Sequence, residues 1–526
     1  MGAFSKWYAV LLLAGLVLMT VPSAALQQTA IPPAELSHQE RFASKQERLE
    51  RAERGLTSRL EAQPGDARVL TERGVTRLQM GKTQAALGDL SQAVSLDPSN
   101  ADALANLAYA YWTQSNLTEA LKAARHALAI EENHAGANFY VGRILMQTGG
   151  DISEAIRHLE RAAERNPEDV DVQFELFSAY RRAREFSRAA LQLRQLGMVL
   201  PPSHAGIFYA EGLLQADLGN LKVAVERFRR ALAINPELDS VRQDLGVALA
   251  QSSQWKEAVE VLEPLAQRRP QSFAVAYFHA LSLENAQRPQ EAEAEARRAV
   301  SLRPDAADGH TLLGIILAAR GAHPEAVESL GRAVTINATN FDAQFYLGRE
   351  RYALRDLPGA ADAFRAALHI RPEDPEARFF LATVLEAAGE KDPALAEYRE
   401  LISRRPRDPR GYIGLGAILA KYGETEDAVA QLQRARELEP GNFEAALALG
   451  RLLAKSGRVE AAIARLEEAV ALRPDNAEAH YQLGLALRRA ERAQEAEREF
   501  ATVERLNRER RGTGMADAQP QIPERE

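Results

Sequence analysis

Apolar and small residues recur along the chain at helical spacing, in blocks that repeat every 34 residues. The clearest block is residues 341–374, FDAQFYLGRERYALRDLPGAADAFRAALHIRPED. In its first half, Gln344, Leu347 and Gly348 lie at i, i+3 and i+4, which places them on one stripe of an α-helix. In its second half, Pro372 ends another helical stretch, because proline cannot continue a helix. The pattern therefore predicts two helices joined by a turn in each block.

The same spacing fits thirteen consecutive repeats. Position 20 is alanine in all thirteen copies, position 8 is Gly or Ala in twelve, and position 32 is Pro in ten. Because glycine inside a helix costs roughly 1 kcal/mol relative to alanine, we infer that the small residues at positions 8 and 20 let the two helices cross closely. The repeats are predicted to begin at Ala67, Ala101, Ala135, Val170, Ala205, Asp239, Phe273, Ala307, Phe341, Pro375, Pro409, Phe443 and Ala477.

This 34-residue helix-turn-helix pattern resembles the tetratricopeptide repeat. The resemblance covers residues 67–510. It implies an all-α fold, a right-handed α-solenoid (superhelix) of about 13 repeats. Because tetratricopeptide arrays bind other proteins, it also implies protein or peptide segments as partners.

The N-terminus carries the features of a secretory signal peptide. The apolar run from Trp7 to Met19 has 13 residues, against roughly 20 for a membrane-spanning helix. Ser23 and Ala25 have the small side chains that signal peptidase accepts, so we expect cleavage after Ala25. This predicts an exported protein, periplasmic or in the cell envelope, without stable membrane insertion after cleavage. The alternative is an uncleaved N-terminal segment that anchors the protein.

Residues on either side of the repeats predict a cap and a tail. Phe42, Leu49 and Leu56 recur at intervals of seven residues in a highly charged stretch, which favours an amphipathic helix that caps the array. The predicted organisation is a signal peptide (1–25), a flexible leader (26–36), a degenerate capping repeat (37–66), repeats one to four (67–203), repeats five to thirteen (204–510) and a disordered tail (511–526).

The fourth repeat departs from the pattern. Phe177 at position 8 and Leu196 at position 27 place bulk where the other repeats mostly have Gly or Ala. Pro201, Pro202 and one extra residue then precede the next repeat. We therefore predict a seam at residues 200–205, the weakest junction of the array.

Charge and composition exclude several functions. The formal net charge is −8, and removal of residues 1–25, whose only charged residue is Lys6, would make it −9. Such a charge disfavours nucleic acid as a partner. The chain has no Cys, which excludes disulfides, thiolate metal sites and cysteine nucleophiles.

The sequence contains no complete motif for catalysis, cofactor binding or metal binding. Gly81 begins a Gly-Lys-Thr tripeptide, but Thr76 stands where a phosphate-binding loop needs its first glycine, so we assign the tripeptide to a turn between helices. Gly414 belongs to a Gly-Leu-Gly sequence inside a predicted helix, where no dinucleotide loop can form. His310 and His480 fall at position 4 and are predicted to face the core. The sequence thus predicts a non-enzymatic protein with no catalytic, cofactor-binding or metal-binding residues.

Aromatic residues concentrate at positions 5 and 6 of the repeat. Positions 2, 5, 6, 9, 12 and 13 point away from the predicted core stripe, and in tetratricopeptide proteins they line the concave groove. Aromatic side chains on such a face are typical of a binding surface. The alternative is that they pack partly on the next repeat. The predicted partner-binding groove contains Phe139, Tyr140, Phe174, Tyr209, Tyr277, Phe278, Phe345, Tyr346, Phe379, Phe380 and Tyr481.

Two functional hypotheses follow. The first is an exported, non-catalytic scaffold that holds protein segments in this aromatic groove, in envelope assembly or secretion. The second is a carbohydrate-handling or enzymatic protein whose site lies on the helical surface. The charged clamp that some tetratricopeptide proteins use for a C-terminal carboxylate is absent, because only Asn106 occupies its required place.

Overall fold

A computed structural model describes residues 38–512, and side chains from residue 46 to residue 509. The predicted signal peptide and leader, and most of the predicted tail, lie outside these residues. The described chain forms 27 α-helices and no β-strand, which confirms the predicted all-α solenoid fold. The helices are α1 (His38–Ala62), α2 (Ala67–Gln79), α3 (Thr83–Leu96), α4 (Ala101–Thr113), α5 (Leu117–Ile130), α6 (Ala135–Thr148), α7 (Ile152–Arg165), α8 (Val170–Arg182), α9 (Phe186–Val199), α10 (Ala205–Asp217), α11 (Leu221–Ile234), α12 (Asp239–Gln251), α13 (Trp255–Arg268), α14 (Phe273–Asn285), α15 (Pro289–Leu302), α16 (Ala307–Ala319), α17 (His323–Ile336), α18 (Phe341–Ala353), α19 (Leu357–Ile370), α20 (Pro375–Ala387), α21 (Lys391–Arg404), α22 (Pro409–Lys421), α23 (Thr425–Leu438), α24 (Phe443–Lys455), α25 (Val459–Leu472), α26 (Ala477–Arg489) and α27 (Ala493–Gly512).

Each repeat is a hairpin of a first helix, here the A helix, and a second helix, the B helix. Every A helix begins at the residue where the 34-residue spacing starts a repeat. Capping residues fix most of these starts. The side chain of Asn340, for example, accepts a hydrogen bond from the Ala343 amide at 3.0 Å and so caps the N-terminus of α18. Position 15 forms the hairpin turn with a positive φ, as at Gly81 (73°) and Arg355 (65°). The Gly-Lys-Thr tripeptide therefore does lie in a turn between two helices.

Small residues at positions 8 and 20 bring the A and B helices together. A Cβ atom added at Gly348 would lie 2.9 Å from the Phe364 ring, and Ala360 is fully buried. The fourth repeat instead buries Phe177 completely and leaves Leu196 only 1% exposed. The glycines at position 8 thus make room for the large B-helix residue at position 24.

The N-terminal helix α1 packs on α2 through ion pairs and apolar contacts. Asp89 accepts hydrogen bonds from Arg73 at 2.7 and 2.8 Å and from Arg77 at 2.8 Å, while Arg77 also donates to Glu53 of α1 at 2.9 Å. Leu60 of α1 is buried against the first repeat. The exposed side of α1 is charged, so this helix closes the first repeat with a polar surface.

The described structure divides into two compact halves at Ala292 and Glu293, within α15. The residues of the predicted seam lie inside the N-terminal half. No described helix combines the length and the apolar character needed to cross a bilayer.

Candidate functional site

One face of each A helix lies away from the small residue at position 8, which packs against the B helix, and we call it the A face. It consists of positions 2, 5, 6, 9, 12 and 13 of each repeat. The A helix α24 illustrates it: Glu444, Arg451 and Lys455 are exposed, and Leu447 and Ala448 are half-buried. Ala454, at position 12 of the A face, is also half-buried. All residues of α24 outside the A face are buried.

Five of the eleven predicted groove aromatics are buried rather than open to solvent. The expectation that positions 5 and 6 face away from the packed interior is therefore wrong for these five: Phe139 (8% exposed), Tyr277 (7%), Phe278 (5%), Phe345 (6%) and Tyr346 (5%). Phe345 gives the physical reason, since its ring lies 5.8 Å from the Phe364 ring of its own B helix and 5.7 Å from the Phe380 ring of the next A helix. Neighbouring side chains thus fill the space around the ring.

The other six predicted aromatics are half-buried and keep part of each ring accessible. They are Tyr140, Phe174, Tyr209, Phe379, Phe380 and Tyr481. Their binding role remains a prediction.

The N-terminal half holds an aromatic cluster formed by Tyr109, Trp112 and Tyr140. The Tyr109 and Tyr140 ring centroids are 5.5 Å apart in a stacked arrangement, and Trp112 lies 6.3 Å from Tyr109 and 6.2 Å from Tyr140. All three side chains are half-buried. Gln147 accepts a hydrogen bond from the Trp112 indole at 3.0 Å and so fixes the ring. The cluster joins the A faces of repeats two and three.

Arg143 borders this N-terminal aromatic cluster. Its guanidinium lies 4.4 Å from the Trp112 ring centroid and 5.3 Å from that of Phe139, within cation–π range. Its Nε atom lies 3.1 Å from Glu175 Oε1, so a carboxylate of the next repeat compensates the charge. Burial raises the pKa of Glu175 and also that of Tyr140. Among the described residues, Glu175 is the only carboxylate that pairs with Arg143, whose side chain is 18% exposed.

Further along the N-terminal half, an aromatic stack and an ion pair span the predicted seam, and a hydrogen bond joins repeat five to repeat six. Phe174 and Tyr209 stack with ring centroids 6.1 Å apart. The Tyr209 hydroxyl donates to Asp244 at 2.8 Å, and Arg181 forms an ion pair with Asp217. Burial raises the pKa of Asp244 from 3.8 to about 6. The A face of this junction is therefore well connected, although the loop over residues 201–203 is exposed.

In the C-terminal half, Phe379 and Phe380 occupy positions 5 and 6 of repeat ten. Phe380 stacks on Phe364 at 5.6 Å, and the Arg410 guanidinium lies 5.6 Å from the Phe379 ring centroid. Arg410 also pairs with Glu376 and with Asp408, the latter at 2.7 Å. The rings are thus held in fixed orientations while one side of each stays accessible.

Sequence reasoning missed the aliphatic members of the A face. Ile413 and Leu447 stand at position 5 of repeats eleven and twelve, and both are half-buried. They continue the row that Phe379 begins and Tyr481 ends. The signal was present in the sequence, because the same position in consecutive repeats carries a large apolar residue, but a search for aromatics alone passes over it.

The chemical groups that the A face presents are suited to contacts with a partner. Among the described residues, no group of three or more His, Asp or Glu side chains is placed to hold a metal ion. The two histidines predicted to face the core are indeed buried, and their rings make contacts within the protein: His310 Nε2 lies 3.1 Å from the Pro304 carbonyl, and His480 Nε2 lies 3.0 Å from that of Pro474. The A face instead offers half-buried rings, aliphatic side chains and oriented guanidinium groups.

Comparison with known families and structures gives consistent matches along the chain. A family model described as TPR repeat matches residues 450–489, one described as tetratricopeptide repeat matches residues 71–138, 142–205, 277–341 and 345–409, and a second of that description matches residues 215–281 and 419–467. No curated protein sequence matches the chain.

Among solved structures, the chain is similar to the APC/C hetero-tetramer Cut9-Hcn1, with 13% identity, a TM-score of 0.46, and coverage of 85% of this chain and 95% of that one. It is similar to yeast Tom70, with 16% identity, a TM-score of 0.35, and coverage of 84% and 92%. It is also similar to YrrB, described as a TPR protein with an unusual peptide-binding site, with 21% identity, a TM-score of 0.30, and coverage of 35% and 95%.

Proposed function

Because the chain belongs to the tetratricopeptide-repeat family, we propose that it is a non-catalytic scaffold that holds segments of partner proteins on the A face. Tetratricopeptide repeats support a protein-interaction role in general. The specific proposal is that the N-terminal aromatic cluster is the principal contact. We further propose that the protein works outside the cytoplasm, in envelope assembly or secretion, on the strength of its N-terminal sequence.

The observation that carries the proposal is the partial exposure of Tyr109, Trp112 and Tyr140. Three neighbouring rings remain half-buried on a surface where Phe139 is buried. Aromatic rings that are already oriented lose little conformational entropy on binding and bury a large apolar area. Arg143 adds hydrogen-bond donors beside them, and aromatic residues with arginine dominate the energetics of protein interfaces.

Arg143 also indicates how a bound segment would be oriented. Since Glu175 compensates its charge, the guanidinium suits a neutral acceptor such as a main-chain carbonyl better than a second carboxylate. An apolar or aromatic side chain of the partner would then rest against the exposed edges of Tyr109 and Tyr140.

The test is capture of partners from the envelope fraction of the source cells by the full chain carrying a photo-crosslinker at Thr113, which is exposed and follows Trp112 in the sequence. The double variant Trp112→Ala/Tyr140→Ala should lose the partner. Loss of a central interface aromatic costs about 2 kcal/mol, which corresponds to roughly thirtyfold in affinity.

The matched control is Tyr422→Ala, which removes an aromatic that is 41% exposed in another repeat. It should capture as much partner as the native chain. The proposal is wrong if the double variant keeps a native far-ultraviolet spectrum and still captures the partner, or if the native chain yields no crosslinked protein.

A further inference from the structure

Four cations gather at the C-terminal ends of the last three A helices. Lys421, Lys455, Arg488 and Arg489 are all exposed. Within residues 46–509, none of them has a carboxylate within the 4.0 Å of an ion pair. Arg489 donates to the Ala454 carbonyl at 2.7 Å, and Lys421 lies 3.5 Å from the Glu386 carbonyl, so their contacts leave the charge uncompensated.

The fold itself does not require these cations. A basic residue near the end of a helix interacts favourably with the helix dipole, by about 0.3–1 kcal/mol. Yet position 13, which holds Lys421, Lys455 and Arg489 here, is alanine in repeats nine and ten, Ala353 and Ala387. Among the other repeats, only repeat four has a cation at this position, Arg182, so consecutive cations at position 13 are confined to repeats eleven to thirteen.

The carboxylates of the same surface are already neutralised. Glu444 pairs with Arg473 at 2.9 Å, and Glu478 lies 3.7 Å from Arg451. Both stand at position 2, at the opposite ends of their A helices from position 13. The end of the A face that carries the four cations thus keeps a net positive charge, in a chain whose formal charge is −8.

A row of half-buried apolar side chains crosses the same face, eight residues before position 13 and so about 12 Å from it along each A helix. It consists of Ile413, Leu447 and Tyr481 at position 5 of the three repeats. Packed helices lie about 8–10 Å apart, and an extended chain in the polyproline II conformation advances about 9 Å per turn of three residues, so that every third side chain points to the same side. A segment lying across the three A helices would therefore bring roughly every third side chain over this row.

We propose that the A face of repeats eleven to thirteen binds an acidic protein segment in an extended conformation, with an apolar side chain at about every third residue. The proposal rests on the proposed function in one respect, that the A face is the binding surface. It differs in location and ligand, since three consecutive cations at position 13 favour carboxylates here, whereas Glu175 compensates the charge of Arg143 at the N-terminal aromatic cluster. A protein segment fits better than a nucleic acid or a lipid headgroup because the apolar row gives a phosphate nothing to contact.

The experiment measures binding of three fluorescein-labelled peptides to the full chain by fluorescence anisotropy. The peptides consist of four triplets of Leu-Glu-Glu, Leu-Gln-Gln or Leu-Lys-Lys. The Leu-Glu-Glu peptide should bind about tenfold or more tightly than the Leu-Gln-Gln peptide, and the Leu-Lys-Lys peptide least. The affinity of the Leu-Glu-Glu peptide should fall as the salt concentration is raised, because exposed charges are screened over about 8 Å at physiological ionic strength.

The variant Lys421→Glu/Lys455→Glu should lose at least about tenfold of the affinity for the Leu-Glu-Glu peptide. The control Lys222→Glu/Lys256→Glu changes the net charge equally, at two exposed lysines of the N-terminal half, and should bind as the native chain does. A second variant, Lys421→Gln/Lys455→Gln, should lose affinity to a smaller degree. Circular dichroism establishes that each variant is folded.

Three results would overturn the proposal. The first is equal binding of the Leu-Glu-Glu and Leu-Gln-Gln peptides, and the second is equal loss in the control variant. The third is displacement of the peptide by single-stranded DNA or phosphatidylglycerol vesicles at comparable concentration. That result would mean that the site binds polyanions in general. Failure of all three peptides, with partner capture at the N-terminal aromatic cluster intact, would refute this inference and leave the proposed function standing.

Discussion

Asp244 makes the stability of the central N-terminal repeats depend on pH. Its carboxylate accepts a hydrogen bond from the Tyr209 hydroxyl at 2.8 Å, and burial raises its pKa from 3.8 to about 6. A carboxyl whose pKa is higher in the folded protein binds protons more tightly there than in the unfolded chain. Folding stability therefore falls as the pH rises from about 4 to about 6, and the full penalty is present above about pH 7.

The size of the effect follows from the difference in pKa. Each pKa unit corresponds to about 1.4 kcal/mol, so the ionised carboxylate costs about 3 kcal/mol at pH 7.5 and about 1 kcal/mol at pH 4.5. Asp244→Asn removes the charge and keeps an oxygen acceptor for Tyr209. The variant should therefore be more stable than the native chain near pH 7.5, and this advantage should shrink by about 2 kcal/mol near pH 4.5.

Hydrogen exchange of residues 205–251, followed by mass spectrometry, is the suitable assay, because neighbouring repeats stabilise each other and a local measurement is needed. Native and variant chains are compared at the same pH, so that the intrinsic exchange rate cancels. Asp362→Asn, at an exposed carboxylate in another repeat, serves as the control and should show no such difference. If Asp244→Asn exchanges like the native chain at every pH, the carboxylate does not carry a raised pKa and the reasoning fails.

Three further predictions test the N-terminus, the seam and the core. N-terminal sequencing of the protein from cells should begin at Leu26, and an intact Met1 on a soluble cytoplasmic product would contradict export. Limited proteolysis should cut first between Leu200 and Ala205, where the loop is exposed; equal cutting at other junctions would show that this loop is no weak point. Phe345→Ala should lower the free energy of unfolding by about 3–5 kcal/mol, because the ring is 6% exposed; unchanged urea unfolding would mean that the ring is not part of the core.

The repeat boundaries could be predicted from the sequence because they depend on local signals. Alanine at position 20, proline near position 32 and capping residues such as Asn340 act within one hairpin. The spacing of these signals places every A helix at its observed start. The fold is thus set mainly by residues that are close in sequence.

The exposure of the A-face aromatics could not be predicted in the same way. A helical period indicates the side of the helix on which Phe345 and Phe379 lie, and both stand at position 5. Only Phe345 is buried, since the ring of Phe380 from the next repeat packs against it at 5.7 Å. Exposure at this position therefore depends on the size of a side chain about 35 residues away.

Contacts at this separation are the means by which the A face is assembled. Trp112 bonds to Gln147, 35 residues on, and Arg489 reaches back 35 residues to the carbonyl of Ala454. Arg143 contacts Glu175, 32 residues away, in the same manner. Because each such contact joins neighbouring repeats, a substitution on the A face changes the surfaces of two repeats and leaves distant repeats unaffected. The N-terminal aromatic cluster belongs to repeats two and three and the cationic surface to repeats eleven to thirteen, so variants at one should leave binding at the other intact.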